Sequence, residues 1–173
     1  MPIHLIVDGY NLIRQSGRLS LLDQQNLQSG RDALIESLAK YKKIKHHKIT
    51  VVFDGTNAPS IIPFRDYVKG IRIKFSHKGE SADEVIKRMA AREREKAMIV
   101  SSDRDIINSA VSSGAATINA PFFEEKMIMA EYMDIKGMVE DDKPGWIPTT
   151  KKKGPSRRLS KKNRHSWKKI RKL

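Results

Sequence analysis

Five short apolar runs, interleaved with stretches of helical spacing, constrain this chain more than any other feature. They are IHLIV at 3–7, KITVVF at 48–53, GIRIKF at 70–75, AMIVS at 97–101 and AATIN at 115–119, strand-sized and rich in β-branched residues. Helical patterns fall at 28–44, 82–95 and 104–113, with a shorter one at 122–134. In the first of these, Leu34, Leu38 and Tyr41 recur at i, i+4 and i+7, one apolar stripe with Lys and Glu opposite. Val51-Val52-Phe53 and Ile99-Val100 are continuously apolar, as expected of strands covered on both faces. The alternation predicts an α/β domain around a mostly parallel sheet. The segment 69–75 is more alternating and more charged, so it reads as an edge strand. Residues 14–27 and 55–66 read as loops, and the second, with two prolines, overhangs whatever Asp54 faces.

Charge divides the chain into a body and a tail. Of the 34 Lys and Arg, 12 lie in 151–173, where there is no acid; the other 22 are balanced against all 20 Asp and Glu. The pattern therefore predicts a domain over 1–145 and a basic C-terminal tail over 146–173. A tail of this kind attracts polyanions by releasing their counterions, and RNA is the expected one. Its apolar residues are too sparse for a membrane surface. The absence of cysteine excludes a disulfide scaffold, a thiolate nucleophile and a zinc ribbon. No apolar run is long enough to span a membrane, and no basic leader precedes the first strand, so the expected location is cytoplasmic.

Acidic clusters stand beside the apolar runs: Asp8-Gly9-Tyr10-Asn11, Phe53-Asp54-Gly55, Ser81-Ala82-Asp83-Glu84 and Ser101-Ser102-Asp103-Arg104-Asp105. A parallel sheet brings strand ends to one edge, where ligands bind. Carboxylates gathered there repel one another unless a cation holds them, which is the physics of a Mg²⁺ or Mn²⁺ site. Asp8 and Asp103 follow buried runs directly and are candidate metal ligands. Asp83 lies above Ile86 and Ala90 on the side of its helix that faces the sheet, so it is a third. Asn11 would hydrogen-bond a ligand oxygen or a neighbouring carboxylate. Other residues have structural work available. Ser81 with Glu84 fits a capping box, Ser102 fits an N-cap with Asp105 in the first turn, and Asp54-Gly55 fits a turn. Asp54, Glu84 and Ser102 are accordingly placed at the edge of the site.

Taken in order, DGYN, FDG, SADE and SSDRD resemble the NYN family of PIN-like ribonucleases, in its bacterial YacP-type branch. The resemblance covers residues 3–135 and leaves the tail after about 145 outside. It implies a three-layer α/β/α domain with a central parallel sheet and a divalent-metal endoribonuclease site. By position it assigns metal binding to Asp8, Asp83 and Asp103, with Asp105 as a fourth acid and Asn11 as the polar partner. Asp54 matches a motif of the branch. The expected chemistry is metal-dependent hydrolysis of RNA phosphodiesters, in mRNA or ribosome-associated RNA, leaving 5′-phosphate and 3′-hydroxyl ends.

Two other functions compete. A non-catalytic RNA- or ribosome-binding factor would use the same scaffold and tail. A metal-dependent phosphatase with a nucleophilic Asp8 would want a second Asp two residues on, where this chain has Tyr10. Histidine catalysis finds no clear pair: His46-His47 sits among basic residues and reads as surface, and His77 reads as a loop residue near Asp83. For RNA contact the candidates are Arg14 and Arg18 near the site, with Arg31 and Lys78 weaker. In the tail they are Lys151, Lys152, Lys153, Arg157, Arg158, Lys161, Lys162, Arg164, Lys168 and Lys169, with Trp167 placed to stack on a base.

Overall fold

The computed structural model describes residues 3–55, 67–135 and 169–173. The strands are β1 (His4–Asp8), β2 (Lys48–Phe53), β3 (Tyr67–Val68), β4 (Ile71–Phe75), β5 (Ala97–Val100) and β6 (Ala116–Ile118). They form one six-stranded sheet in the order β3-β4-β2-β1-β5-β6. All pairings are parallel except that of β3 with β4. The helices are α1 (Gly9–Gln15), α2 (Gly17–Gln25), α3 (Leu27–Lys45), α4 (Ala82–Glu93), α5 (Arg104–Ser112) and α6 (Ala120–Ile135).

Strand alternation splits the core into two layers. Leu5, Val7, Val51, Phe53, Met98 and Val100 face one side, where Leu12, Leu34, Leu38 and Phe123 pack. Ile6, Val52 and Ile99 face the other, against Val85, Ile86, Ile106 and Ala110. Successive side chains of one strand thus bury on opposite faces, which is why these strands read as unbroken apolar runs. The predicted stripe of α3, Leu34, Leu38 and Tyr41, is wholly buried.

Three sequence expectations are corrected. Residues 14–27, expected as a loop, lie mostly in α1 and α2. The pattern was hidden because α2 buries only Leu19, and caps rather than an apolar stripe delimit it. Ser16 Oγ accepts from Leu19 N–H at 3.1 Å, and the Asn26 side chain caps α3. The charged segment 69–75 is not the edge: β4 lies between β2 and the short antiparallel β3. Lys69 and Gly70 turn the chain there with φ of 51° and 78°. His47 is not a surface residue. It is buried, with Nε2 3.3 Å from the Lys172 carbonyl.

That last contact belongs to a larger feature. The final residues return to the body: Leu173 is buried in the main core, Ile170 packs against it, and Tyr41 Oη donates to the Leu173 carbonyl at 3.1 Å. Residues 169–173 of the basic segment therefore pack onto the body. Lys169 is itself half-buried, and burial pushes its ammonium pKa down. The remaining tail candidates, Lys151 to Lys168 with Trp167, lie outside the described residues, as do 56–66 of the second expected loop.

Candidate metal and phosphate site

Asp8 closes β1 and caps α1, Asp54 follows β2, Asp103 follows β5 and caps α5, and Asp83 sits in the first turn of α4. All four line one cavity of about 370 Å³, together with Asn11 and Arg14. Parallel strands deliver the first three to one sheet edge, and the start of α4 supplies the fourth.

The loop after β5 is held to the end of β1 by a chain of hydrogen bonds. Ser101 Oγ donates to Asp8 Oδ2 at 3.0 Å and accepts from Asp103 N–H at 3.1 Å. Asn11 Oδ1 accepts from Ser102 N–H at 2.8 Å. Asp8 Oδ1 accepts from Asn11 N–H at 3.3 Å, and Asp103 Oδ1 from Asp105 N–H at 2.7 Å. Ser101 was not singled out from sequence, although its place was a signal: it is a fully buried polar residue immediately after an apolar strand. Gly9 is required by packing, since a Cβ there would meet Phe53 Cε1 at 2.3 Å.

Burial and mutual proximity set the electrostatics of these acids, with Lys87 the cation that acts on Asp83. Asp8 is buried, and its carboxyl is pushed up to about 6, first by burial and further by Asp83 and Asp103. Asp83 is also raised, by burial and then by Asp103. These shifts put Asp8, Asp83 and Asp103 within electrostatic reach of one another.

Other predicted residues fall elsewhere. Asp105 is turned out of the cavity: its carboxylate is 79% exposed and paired with Lys87. Ser102 is not the cap of α5, a role Asp103 takes; its Oγ accepts from Ala120 N–H at 3.1 Å at the start of α6. Glu84 completes the capping box with Ser81. Arg14 borders the cavity and lies over the Tyr10 ring. Arg18 instead donates to Ser37 Oγ at 2.8 Å, on α3. Arg31 is buried, stacked against Tyr10, Phe53 and Phe75 and hydrogen-bonded to Tyr10 Oη at 2.9 Å, so it supports the floor rather than offering a surface charge. His77 and Lys78 are exposed.

The donor set is all oxygen, which suits Mg²⁺ or Mn²⁺. Among the described residues, no three His, Asp or Glu side chains are drawn close enough to hold an ion as they stand. The fit is thus one of chemistry and of common placement, with carboxylates that must close in to share an ion.

The YacP-like NYN domain family model matches residues 5–172, so the match runs through the basic tail as well as the motif-bearing body. The uncharacterized protein YacP of Bacillus subtilis (strain 168) is 30% identical over 86 residues, half of this chain and half of that protein. The crystal structure of Rae1 (YacP) from Bacillus subtilis superposes with a TM-score of 0.66 at 25% identity, covering 79% of each chain. A tryptophan-to-leucine mutant of Rae1 gives 0.64 at 22% identity, over 80% of this chain and 86% of that one. No described helix is long and apolar enough to cross a membrane. With its three layers, its sheet order and its match from end to end, the chain belongs to the YacP-like NYN family and has the PIN-like fold.

Proposed function

We propose that the protein is a divalent-metal-dependent endoribonuclease. The observation that carries this reading is the convergence of Asp8, Asp54, Asp83 and Asp103 on one open cavity, with Asp8 held protonation-prone by burial and by its neighbours. Such a constellation is costly unless a cation and a phosphate use it.

Asp8, Asp83 and Asp103 would hold Mg²⁺ or Mn²⁺. When bound, the metal supplies an activated water and stabilises charge on the leaving oxygen. Asn11 and Ser101 keep Asp8 and Asp103 in register, acting as positioning residues. Arg14, on the rim, is placed to meet a phosphate of the strand. Tyr10 turns its hydroxyl to Arg31, and no second Asp stands two residues after Asp8, which disfavours a phosphoenzyme route.

RNA is the substrate class, and the basic segment 151–173 would raise its affinity and on-rate. mRNA on the ribosome is one setting for such an enzyme. The test incubates the purified protein with single-stranded and structured RNA in Mg²⁺, Mn²⁺ or EDTA, beside Asp8→Asn and Asp83→Asn. Metal-dependent cleavage with 5′-phosphate products, lost in both variants, is expected. RNA binding without cleavage under every metal condition would replace the enzyme with an RNA-binding factor.

A further inference from the structure

A second basic surface lies at the far end of the molecule from the carboxylates. The last turn of α3 carries Lys42, Lys43 and Lys45, and His46 caps it with φ of 54°. Against this turn opens a cavity of about 670 Å³, walled by Lys40, Lys42, Lys43 and His46 of α3 and Lys69 of the β3–β4 turn, with Glu36 as its acid. Glu36 pairs with Lys69, and Lys40 donates to Glu131 of α6 at 2.6 Å. Lys42 donates to the Gly70 carbonyl, a neutral group. Among the described residues the two carboxylates thus answer two of the four lysines, leaving the charges of Lys42 and Lys43 in excess. The C-terminal turn is tied to the chain just past this turn, where the Lys172 carbonyl meets His47.

Topology sets this surface apart from the cavity of Asp8. The end of α3 leads into the start of β2, and Lys69-Gly70 leads into the start of β4. Asp8 and Asp54 stand at the opposite strand ends. The two surfaces are separated by about a strand length, roughly 17–20 Å.

The donors are ammonium groups on flexible stems, spread over a helix turn and a hairpin turn. Lys40 and Lys69 side chains are 45% and 56% exposed. That arrangement suits a chain of spaced phosphates better than one small anion, which would want converging, buried donors. We propose that the C-terminal turn of α3 and the β3–β4 turn form a second RNA-backbone contact surface, which grips the strand away from the carboxylate cavity. The proposal rests on RNA being the ligand of the first site.

The experiment measures RNA affinity in EDTA, where nothing is cut, over a salt series. It compares the intact chain, Lys42→Gln/Lys43→Gln and Lys43→Glu; among the described residues Lys43 makes no ion pair whose loss could unfold the helix end. About 0.7 to 0.9 of log–log salt slope is lost per phosphate contact removed. The double variant should therefore lower the slope by about 1.5 and weaken binding of a 20-nucleotide RNA by about tenfold or more. Hydrolysis of bis(4-nitrophenyl) phosphate, too small to reach both surfaces, should not change. Unaltered slope and affinity in both variants, with unchanged melting temperature, would overturn the proposal. Binding to anionic lipid vesicles in place of RNA would overturn it too. Failure of cleavage alone would count against the nuclease reading and leave the salt slope as an independent measure of this surface.

Discussion

Asn11 Oδ1 accepts a hydrogen bond from the Ser102 backbone N–H at 2.8 Å, tying the first turn of α1 to the loop that carries Asp103. The two residues are 91 positions apart, and their contact fixes the spacing of the acids on either side. Asn11→Ala leaves that N–H without its partner and should cost about 1–3 kcal/mol. In metal titrations the same variant should need a higher Mg²⁺ concentration for half-maximal cleavage. Retention of both wild-type stability and wild-type metal dependence would show that the tie does no positioning.

Asp8 makes stability depend on pH in a direction opposite to that of most carboxylates. Its folded pKa, about 6, lies above the 3.8 of an ordinary aspartate, so the folded state holds this proton more tightly than the unfolded chain does. The group favours folding at low pH, and that contribution is lost as pH rises from about 4 through 6. In EDTA, Asp8→Asn should therefore melt higher than the wild type at pH 8, by up to about 3 kcal/mol, and show little gain at pH 4. Saturating Mn²⁺ should shrink or reverse the gain, because only the carboxylate binds the ion. A melting difference that does not vary with pH would contradict the assignment.

Asp105 separates the geometric reading of the site from the motif alone. It stands outside the cavity, exposed and paired with Lys87, whereas Asp83 and Asp103 line the wall. Asp83→Asn and Asp103→Asn should each lower metal-dependent cleavage by at least about a hundredfold, and Asp105→Asn by no more than about tenfold, in the range of a supporting residue. Initial rates at saturating Mg²⁺ measure this. Equal losses in all three would bring Asp105 into the ligand set.

Leu173 is buried against the core that contains Tyr41 and Phe123. Leu173→Ala should destabilise the fold by about 2–5 kcal/mol, the range for buried leucines. Denaturant melts would register it as a lower midpoint at constant slope. Tyr41→Phe, which removes only the hydroxyl that donates to the Leu173 carbonyl, should cost about 1 kcal/mol. A Leu173→Ala midpoint equal to that of the wild type would mean that the C-terminal turn adds nothing to the body.

Much of this was legible from local pattern. Runs such as Val51-Val52-Phe53 could be strands buried on both faces, and Leu34, Leu38 and Tyr41 could be a helix stripe, because burial imposes periods of two and 3.6 on the chain. Ser81 and Glu84 announced the start of α4 because a capping box is satisfied within four residues. α2 escaped notice because it buries a single leucine and so has almost no period to read. The edge strand was misplaced for a related reason: charge on Arg72 and Lys74 marks half-exposed faces, and two-residue β3 has no pattern of its own.

By itself, then, the sequence determined the alternation of strands and helices, the family motifs and the acids beside the strand ends, all of them properties of neighbouring residues. Only the tertiary structure decided that Asp105 faces Lys87 while Asp54 joins the cavity, that Ser101 bridges Asp8 and Asp103, and that Arg31 is buried beneath Tyr10. It also decided that Leu173 ends inside the core. The physical reason is range: a cap or a stripe is satisfied within a few residues, whereas a side chain's partner across the sheet depends on strand order and on packing that no local pattern records.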